Sequence, residues 1–482
     1  MKLTGMLLAL SLLLASCSTS TTSLEATRAG DVTPSPAITA ALPPAPSSIA
    51  TLVVAATPAP AKPNPTLPPT PAAPAAAKPT VAPPRPTAAP TVSVSRVSTI
   101  TLATELFAGV SGSRPTPAAG SLKAPPAGPG FEGVEVLSVG NGQDSQPLWV
   151  AFTYGMPDFT LNQSHFLAVY RFSDGRWVRL ARTDLKEVDY VNRASVSRVR
   201  VEPSNVWFTL EGGVGAHGGA FYLLRFDGKE LRTEVSHGNA KPGTGSLADL
   251  NGDGILEAIL DASDYYVFAY ATGVSLYNAV VMRWDGTRMV EVKLAKLPAS
   301  APSELKRVTD RGVDLANAGL WKDAGGLVDQ IKTLGASNQE ALWDAALIRL
   351  HAAGRAEQVK LKPYPILDNV FYGDYPAAVD VMRRYSAAQI FDRRTPLVVS
   401  TVAEGAEEQL ANASIDAATR AIAVKPDLAA AYFIRGWARN LDALRQNRPV
   451  SQEALADVSK AAELAPSDRL FSESAALLTR GR

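Results

Sequence analysis

The sequence predicts a multidomain chain: a long disordered tether, then an all-β region, then an all-α region. Three observations predict it. From Ser18 to about Gly128 the residues are mostly Pro, Ala, Thr and Ser, with almost no aromatic or acidic side chains. From about 130 to 298 aromatic and β-branched residues become dense and alternate with polar ones, the period of a strand. From about 302 to 482 Ala, Leu, Glu and Arg dominate with helical spacing. The expected boundaries are 1–16, 17–128, 129–298 and 302–482. A chain of 482 residues exceeds what one hydrophobic core usually organises.

The first element is an export signal. Met1-Lys2 is a short basic end and Leu3 to Ala15 is almost wholly apolar. That run is too short to span a bilayer, which takes about 20 residues, and it ends in small residues. Leu14-Ala15-Ser16-Cys17 resembles the lipobox of bacterial lipoproteins. The resemblance implies that Cys17 is alkylated by diacylglycerol and becomes the mature N-terminus, with enough acyl chains to anchor stably. Cys17 is also the only Cys in the chain, so no intramolecular disulfide can form. By the same resemblance, Ser18 in place of Asp argues against retention at an inner membrane. The expected location is exported and lipid-anchored, on the cell membrane or outer membrane, facing the periplasm or exterior. The alternative is an ordinary cleaved signal with an incidental Cys.

The second element is the tether. Segments such as Thr57-Pro58-Ala59-Pro60 and Pro83-Pro84-Arg85-Pro86-Thr87 recur. Such composition cannot bury enough apolar surface to offset chain entropy. Proline favours polyproline II, at ~3.1 Å per residue, so the tether reaches at most roughly 300 Å. Thr-Pro richness also suits O-glycosylation.

The third element repeats. Val169-Tyr170-Arg171-Phe172-Ser173-Asp174-Gly175, Leu223-Leu224-Arg225-Phe226-Asp227-Gly228 and Val281-Met282-Arg283-Trp284-Asp285-Gly286 share one form. Each is an apolar strand, an Arg, an aromatic residue and an Asp-Gly turn, the signal of a hairpin. The spacing is regular: 54 residues from Arg171 to Arg225 and 58 from Arg225 to Arg283. Matching strands lie upstream at Leu148–Phe152, Val206–Leu210 and Leu256–Leu260, each preceded by a weaker one. Four antiparallel strands per unit is the size of a β-propeller blade. Three units are fewer than closed rings usually hold. The openings are an unusual ring, a fourth blade hidden in the inserts, an open arc capped by the helical region, or a sandwich-like arrangement.

One stretch carries metal chemistry. In Asp249-Leu250-Asn251-Gly252-Asp253-Gly254-Ile255-Leu256-Glu257 oxygen-bearing side chains stand at loop positions 1, 3, 5 and 9. Gly254 is at position 6, where a sharp turn is needed, and Ile255 offers a carbonyl at position 7. That alternation suits Ca²⁺, which takes hard oxygen ligands. Leu260 stands where an EF-hand has its bidentate Glu, and the flanks read as strands, so the loop is no EF-hand. It resembles the calcium loops of FG-GAP and VCBS-type repeats. The resemblance covers about fifteen residues and implies Asp249, Asn251, Asp253 and Glu257 as side-chain ligands, Ile255 as a carbonyl ligand and Ca²⁺ as a structural ion. The same residues also favour a metal-free turn. The corresponding places near Asn141–Asp144 and Glu202–Asn205 lack the pattern.

The fourth element resembles tetratricopeptide repeats. Gly312, Leu315, Gly319, Trp321 and Ala324 fit its small-and-large pattern, and Asn338 to Ala353 reads as a further helix. Ala431-Tyr432-Phe433-Ile434-Arg435-Gly436-Trp437-Ala438 matches a first helix with Gly436 at the crossing point. Ala454, Val458, Ala461 and Pro466 match the second helix after a turn lengthened over Asn440–Pro449. Ala418, Ala421 and Pro426 close the preceding half repeat, and Gly373–Ala378 opens another helix. Stacked helix pairs leave a concave groove for a protein or peptide partner. The alternative is a generic helical bundle.

Other chemistry is excluded or unsupported. Lys+Arg 47 against Asp+Glu 46 leaves a net charge of +1, and no basic tract is interleaved with aromatics, so nucleic acid is no expected partner. Gly213-Val214-Gly215-Ala216-His217-Gly218 spells G-x-G-x-x-G, but a strand follows where a nucleotide-binding helix is required. It reads as a loop between strands. His165, His217, His237 and His351 show no metal spacing, and no nucleophile elbow or H-E-x-x-H occurs. His217 is the His best placed for a role, with an inert exposed side chain the stronger reading. The expectation is a non-catalytic, lipid-anchored binding or scaffold protein. The first alternative is a calcium-stabilised glycan- or wall-binding lipoprotein. The second is an envelope hydrolase, which nothing positive supports.

Overall fold

The computed structural model describes residues 131–142, 145–157, 164–263, 265–269 and 273–480. Cys17 and the tether lie outside the described residues. Everything described belongs to one compact unit. It is strand-rich in its first half and helical in its second.

Three four-stranded antiparallel meanders make up the strand-rich half. The first is β1 (Phe131–Asn141), β2 (Pro147–Pro157), β3 (Phe166–Ser173) and β4 (Arg176–Asp184). After β5 (Tyr190–Val191) comes the second: β6 (Ser197–Val199), β7 (Val206–Val214), β8 (Gly218–Phe226) and β9 (Leu231–Asn239). The third is β10 (Gly245–Ala248), β11 (Glu257–Asp261), β14 (Ala279–Trp284) and β15 (Met289–Val292). A small hairpin of β12 (Tyr266–Val267) and β13 (Val274–Ser275) interrupts it.

The repeat read from Arg171, Arg225 and Arg283 is therefore a repeat of meanders, with the strand pairs and Asp-Gly turns where their sequence puts them. The turns differ in size. Asp174 and Gly175 both take positive φ, 52° and 75°, and Ser173 pairs with Arg176 across a two-residue loop. This is the tight turn whose twist suits a hairpin. The other two loops are four residues long, closing at Phe226–Leu231 and Trp284–Met289. In them the Asp caps the turn: Asp227 Oδ1 accepts from the N–H groups of Lys229 and Glu230, and Asp285 Oδ1 from those of Thr287 and Arg288.

The meanders are layered. Val150, Phe152, Leu167 and Val169 of the first pack against Phe208, Leu210, Tyr222 and Leu224 of the second. The opposite face of the second meander, with Trp207, Phe221 and Leu223, packs against Ala258, Leu260 and Met289 of the third. Strands β7 and β8 are thus apolar on both faces because both faces are covered. The first two meanders are also hydrogen-bonded into one nine-stranded sheet, since β5 pairs with Gly155 of β2 and Gly212 of β7. A side chain at Gly212 or Gly213 would collide with Tyr190, so the two glycines let β5 in.

Eleven helices are described: α1 (Ser303–Asn317), α2 (Trp321–Gly325), α3 (Val328–Leu334), α4 (Gln339–Leu361), α5 (Pro365–Tyr372), α6 (Tyr375–Met382), α7 (Ala387–Ile390), α8 (Glu407–Val424), α9 (Ala429–Arg445), α10 (Gln452–Leu464) and α11 (Arg469–Arg480). Among the described residues no helix is long and apolar enough to cross a membrane. Side-chain caps start several of them: Asn338 accepts from Ala341 N–H for α4 and Ser451 from Ala454 N–H for α10. Gly373, at φ 84°, ends α5. Helix α4 runs two turns past Ala353, and α9 continues through Asn440–Arg445, so most of the lengthened turn expected there is helix.

Helix α9 crosses α10 where Gly436 lies. A Cβ there would come 2.6 Å from Val458 Cγ2 and 2.9 Å from the Ala454 carbonyl oxygen. Asp457, buried in the same crossing, accepts from Arg435 at 2.8 and 2.7 Å and from Arg439 at 2.7 Å.

The strand-rich and helical halves share a core. Ile259, Tyr277 and Val281 pack with Trp343, Ala346, Leu347 and Leu350 of α4. Polar helix side chains take up strand-end N–H groups that lack a ladder partner. Gln358 Oε1 accepts from Tyr277 at 2.8 Å, Gln409 Oε1 from Phe268 at 2.9 Å and Asp344 Oδ1 from Ala295 at 3.0 Å.

Candidate functional site

The Asp249–Glu257 loop connects β10 to β11, so its ends are held by a strand pair, Ala248 opposite Glu257. Gly252 and Gly254 sit at φ 83° and 82° with open space around them. Conformation, not room, is what demands glycine at both. Asp249 gathers the loop: Oδ1 accepts from Gly252 N–H (2.7 Å) and Asp253 N–H (3.1 Å), and Oδ2 from Gly254 N–H (2.9 Å). Asp253 Oδ1 accepts from Ile255 N–H at 2.8 Å. Asn251 donates from Nδ2 to Asp253 Oδ2 at 2.8 Å and accepts from Asp253 N–H at 3.0 Å.

Glu257 is different. It is 1% exposed, and its Oε2 accepts from Leu250 N–H at 2.8 Å. Burial pushes its carboxyl up to about 8; the Leu250 N–H opposes, and the Asp253 and Asp249 charges add to the rise. Three carboxyl groups and one amide thus lie along this loop, and the ligand atoms they offer are hard oxygens, the kind a divalent cation such as Ca²⁺ takes. Among the described residues no three His, Cys, Asp or Glu are drawn together at metal-holding spacing. The loop oxygens rest instead on backbone N–H groups. In the second meander the equivalent place before β7 holds Glu202, which accepts from Ser204 N–H (2.5 Å), Asn205 Nδ2 (2.6 Å) and Trp207 Nε1 (3.0 Å). Neutral donors satisfy that carboxylate.

The histidines are dispersed. His165 is fully buried and its Nδ1 meets Thr153 Oγ1 at 3.0 Å. His237 Nε2 meets the Asp261 carbonyl at 2.8 Å. His351 stacks on Trp321, with ring centres 4.8 Å apart, and burial pushes it down to about 4. His217 is exposed in the β7–β8 loop. The Gly213–Gly218 stretch is the end of one strand, a turn over Gly215–His217 and the start of its paired strand, as its sequence context requires.

Two surfaces escape a reading of the sequence. One is an aromatic face on the first meander. Trp149 pairs across strands with Tyr170, and Phe172 with Trp177. Trp177 meets Trp149, Tyr170 and Phe172 edge-to-face at 5.6, 6.2 and 5.1 Å. None of the four is buried, and Phe172 is 39% exposed. The period-2 spacing of Tyr170 and Phe172 was the available signal. The other is a cleft of about 410 Å³ between β14–β15 and α4, lined by Arg283, Lys293, Lys296, Glu340, Trp343 and Asp344. Asp344 is 2% exposed; burial pushes its carboxyl up to about 7, Ala295 N–H opposes, and Glu340 and Asp310 add to the rise. No sequence spacing joins residue 283 to 344.

Comparison with protein-family models, with curated proteins and with solved structures gave no match.

Proposed function

We propose that this protein is a lipid-anchored, non-catalytic binding and scaffold protein of the cell envelope. Cys17 in its lipobox-like setting would carry the lipid, and residues 17–128 would hold the folded unit away from the membrane. The reading takes the three meanders as propeller-like blades in an open arc, supported by their face-to-face layering and by α4 lying over the third. It takes the helical half as tetratricopeptide-like, supported by the close approach at Gly436. A protein or peptide partner in a helical groove follows from that likeness.

The observation that carries a binding role is the aromatic face of Trp149, Tyr170, Phe172 and Trp177. Four clustered aromatic rings on one sheet face, none of them buried and Phe172 exposed, suit a recognition surface. The same face favours the second reading, glycan binding, because sugars stack on aromatic rings, with Ca²⁺ at Asp249, Asn251, Asp253, Ile255 and Glu257 fixing a meander edge from a distance.

The deciding experiment is a glycan array and an envelope-protein pull-down, each run with the full chain and with Trp177→Ala. Binding in either assay that the substitution removes supports the aromatic face and tells glycan from protein. Binding unchanged by Trp177→Ala in both sinks it.

A further inference from the structure

Helix α4 carries Arg355 into a cavity of about 320 Å³ bounded by α1, α2, α5, α6, α8 and the segments flanking the β12–β13 hairpin. Arg355 is 7% exposed. A buried guanidinium normally has a carboxylate against it, because an unpaired charge in a low-dielectric interior is costly. Arg355 has none among the described residues. Its one hydrogen bond runs from Nη1 to the Phe371 carbonyl at 3.3 Å, and its Nε–H has no acceptor. That carbonyl belongs to the last turn of α5, where helix carbonyls lack internal partners. A neutral donor would serve it equally well, so the contact does not explain the charge. The Trp321 ring lies 5.9 Å from the guanidinium carbon.

A second cation faces the same cavity. Arg420 of α8 lines it and makes no hydrogen bond or ion pair among the described residues. Burial pushes Arg355 down to about 9; Tyr277 pulls it back, and the like charge of Arg420 adds to the fall. Asp416 is the one carboxylate in the lining, and it pairs with neither Arg. Two guanidinium groups against one carboxylate leave the cavity one positive charge in excess. Apart from the Asn317 amide, the remaining wall is mainly apolar or aromatic, with Leu276, Trp321, Val370, Phe371 and Tyr375 its large side chains.

We propose that this cavity binds a small organic monoanion, a carboxylate on an apolar or aromatic body, with Arg355 and Arg420 holding the carboxylate. The planar fork of Arg matches a carboxylate with two parallel hydrogen bonds. The single excess charge fits a monoanion better than a phosphate dianion. The volume lies at the small-ligand end of the range for such pockets.

Isothermal titration of the full chain tests it, with benzoate, phenylacetate and octanoate as probes and with benzamide and phenyl phosphate as controls. The expected result is saturable one-to-one binding of at least one carboxylate with a Kd of about 1 mM or tighter. Benzamide should fail to bind. Arg420→Ala, an exposed position, should weaken the carboxylate about tenfold. Arg355→Met should abolish binding while leaving the melting temperature of the free protein unchanged or higher, because it removes a buried charge. Failure of all three carboxylates overturns the proposal, as does undiminished binding to Arg420→Ala and to a folded Arg355→Met. Benzamide binding as well as benzoate overturns the charge argument. Phenyl phosphate binding tighter than every carboxylate overturns the monoanion assignment.

Discussion

Trp207 of the second meander meets Trp284 of the third edge-on, with ring centres 5.0 Å apart and planes at 81°. Trp207 is fully buried, and its Nε1 donates to Glu202 at 3.0 Å. The Arg225 guanidinium lies 5.0 Å from the Trp284 ring. One side chain thus joins two sheets and satisfies a carboxylate. Trp207→Ala should lower stability by about 3–5 kcal/mol, through lost burial and a cavity between sheets. Urea unfolding measures it, and a loss under about 1 kcal/mol would contradict the layering.

Gly436 predicts the opposite of the usual helix rule. In an exposed helix, Ala is about 1 kcal/mol better than Gly. Here the added Cβ would strike Val458 and the Ala454 carbonyl. Gly436→Ala should destabilise the fold by about 1–3 kcal/mol. A melting temperature that rises instead would show that α9 and α10 do not cross at this point.

Asp344 and Asp368 give the fold a pH signature. Burial pushes both carboxyls up to about 7, opposed by the Ala295 and Tyr364 N–H groups respectively. Their folded values lie above the unfolded value of about 3.9. The native state therefore binds more protons between pH 4 and 7, and stability falls as pH rises through that window. Asp344→Asn should match the parent near pH 4 and exceed it at pH 8 by at least about 1 kcal/mol. Chemical denaturation at both pH values checks the sign; a variant less stable at pH 8 refutes it.

For the Asp249–Glu257 loop, Ca²⁺ should raise the melting temperature and a chelator should reverse the rise, because a cation would relieve the repulsion among Asp249, Asp253 and Glu257. Asp253→Asn should reduce the response while keeping the Ile255 N–H acceptor. Calorimetry with no heat and no thermal shift in millimolar Ca²⁺ would leave the loop a metal-free turn.

What the sequence by itself determined is local. The Asp-Gly turns, the strands that flank them, the strand–strand setting of Gly213–Gly218 and the helix-crossing Gly436 are written in neighbouring residues, because backbone φ preference and side-chain period act over a few positions. What only the tertiary structure decided depends on distant segments meeting. The two halves share a core because Tyr277 and Val281 lie against Trp343 and Leu350. Asp344 and Arg355 read as ordinary polar positions on α4 until strands and helices cover them. Burial then makes one a carboxyl that resists ionising and the other a cation without a carboxylate partner, since the cost of a charge is set by what surrounds it rather than by its place in the chain.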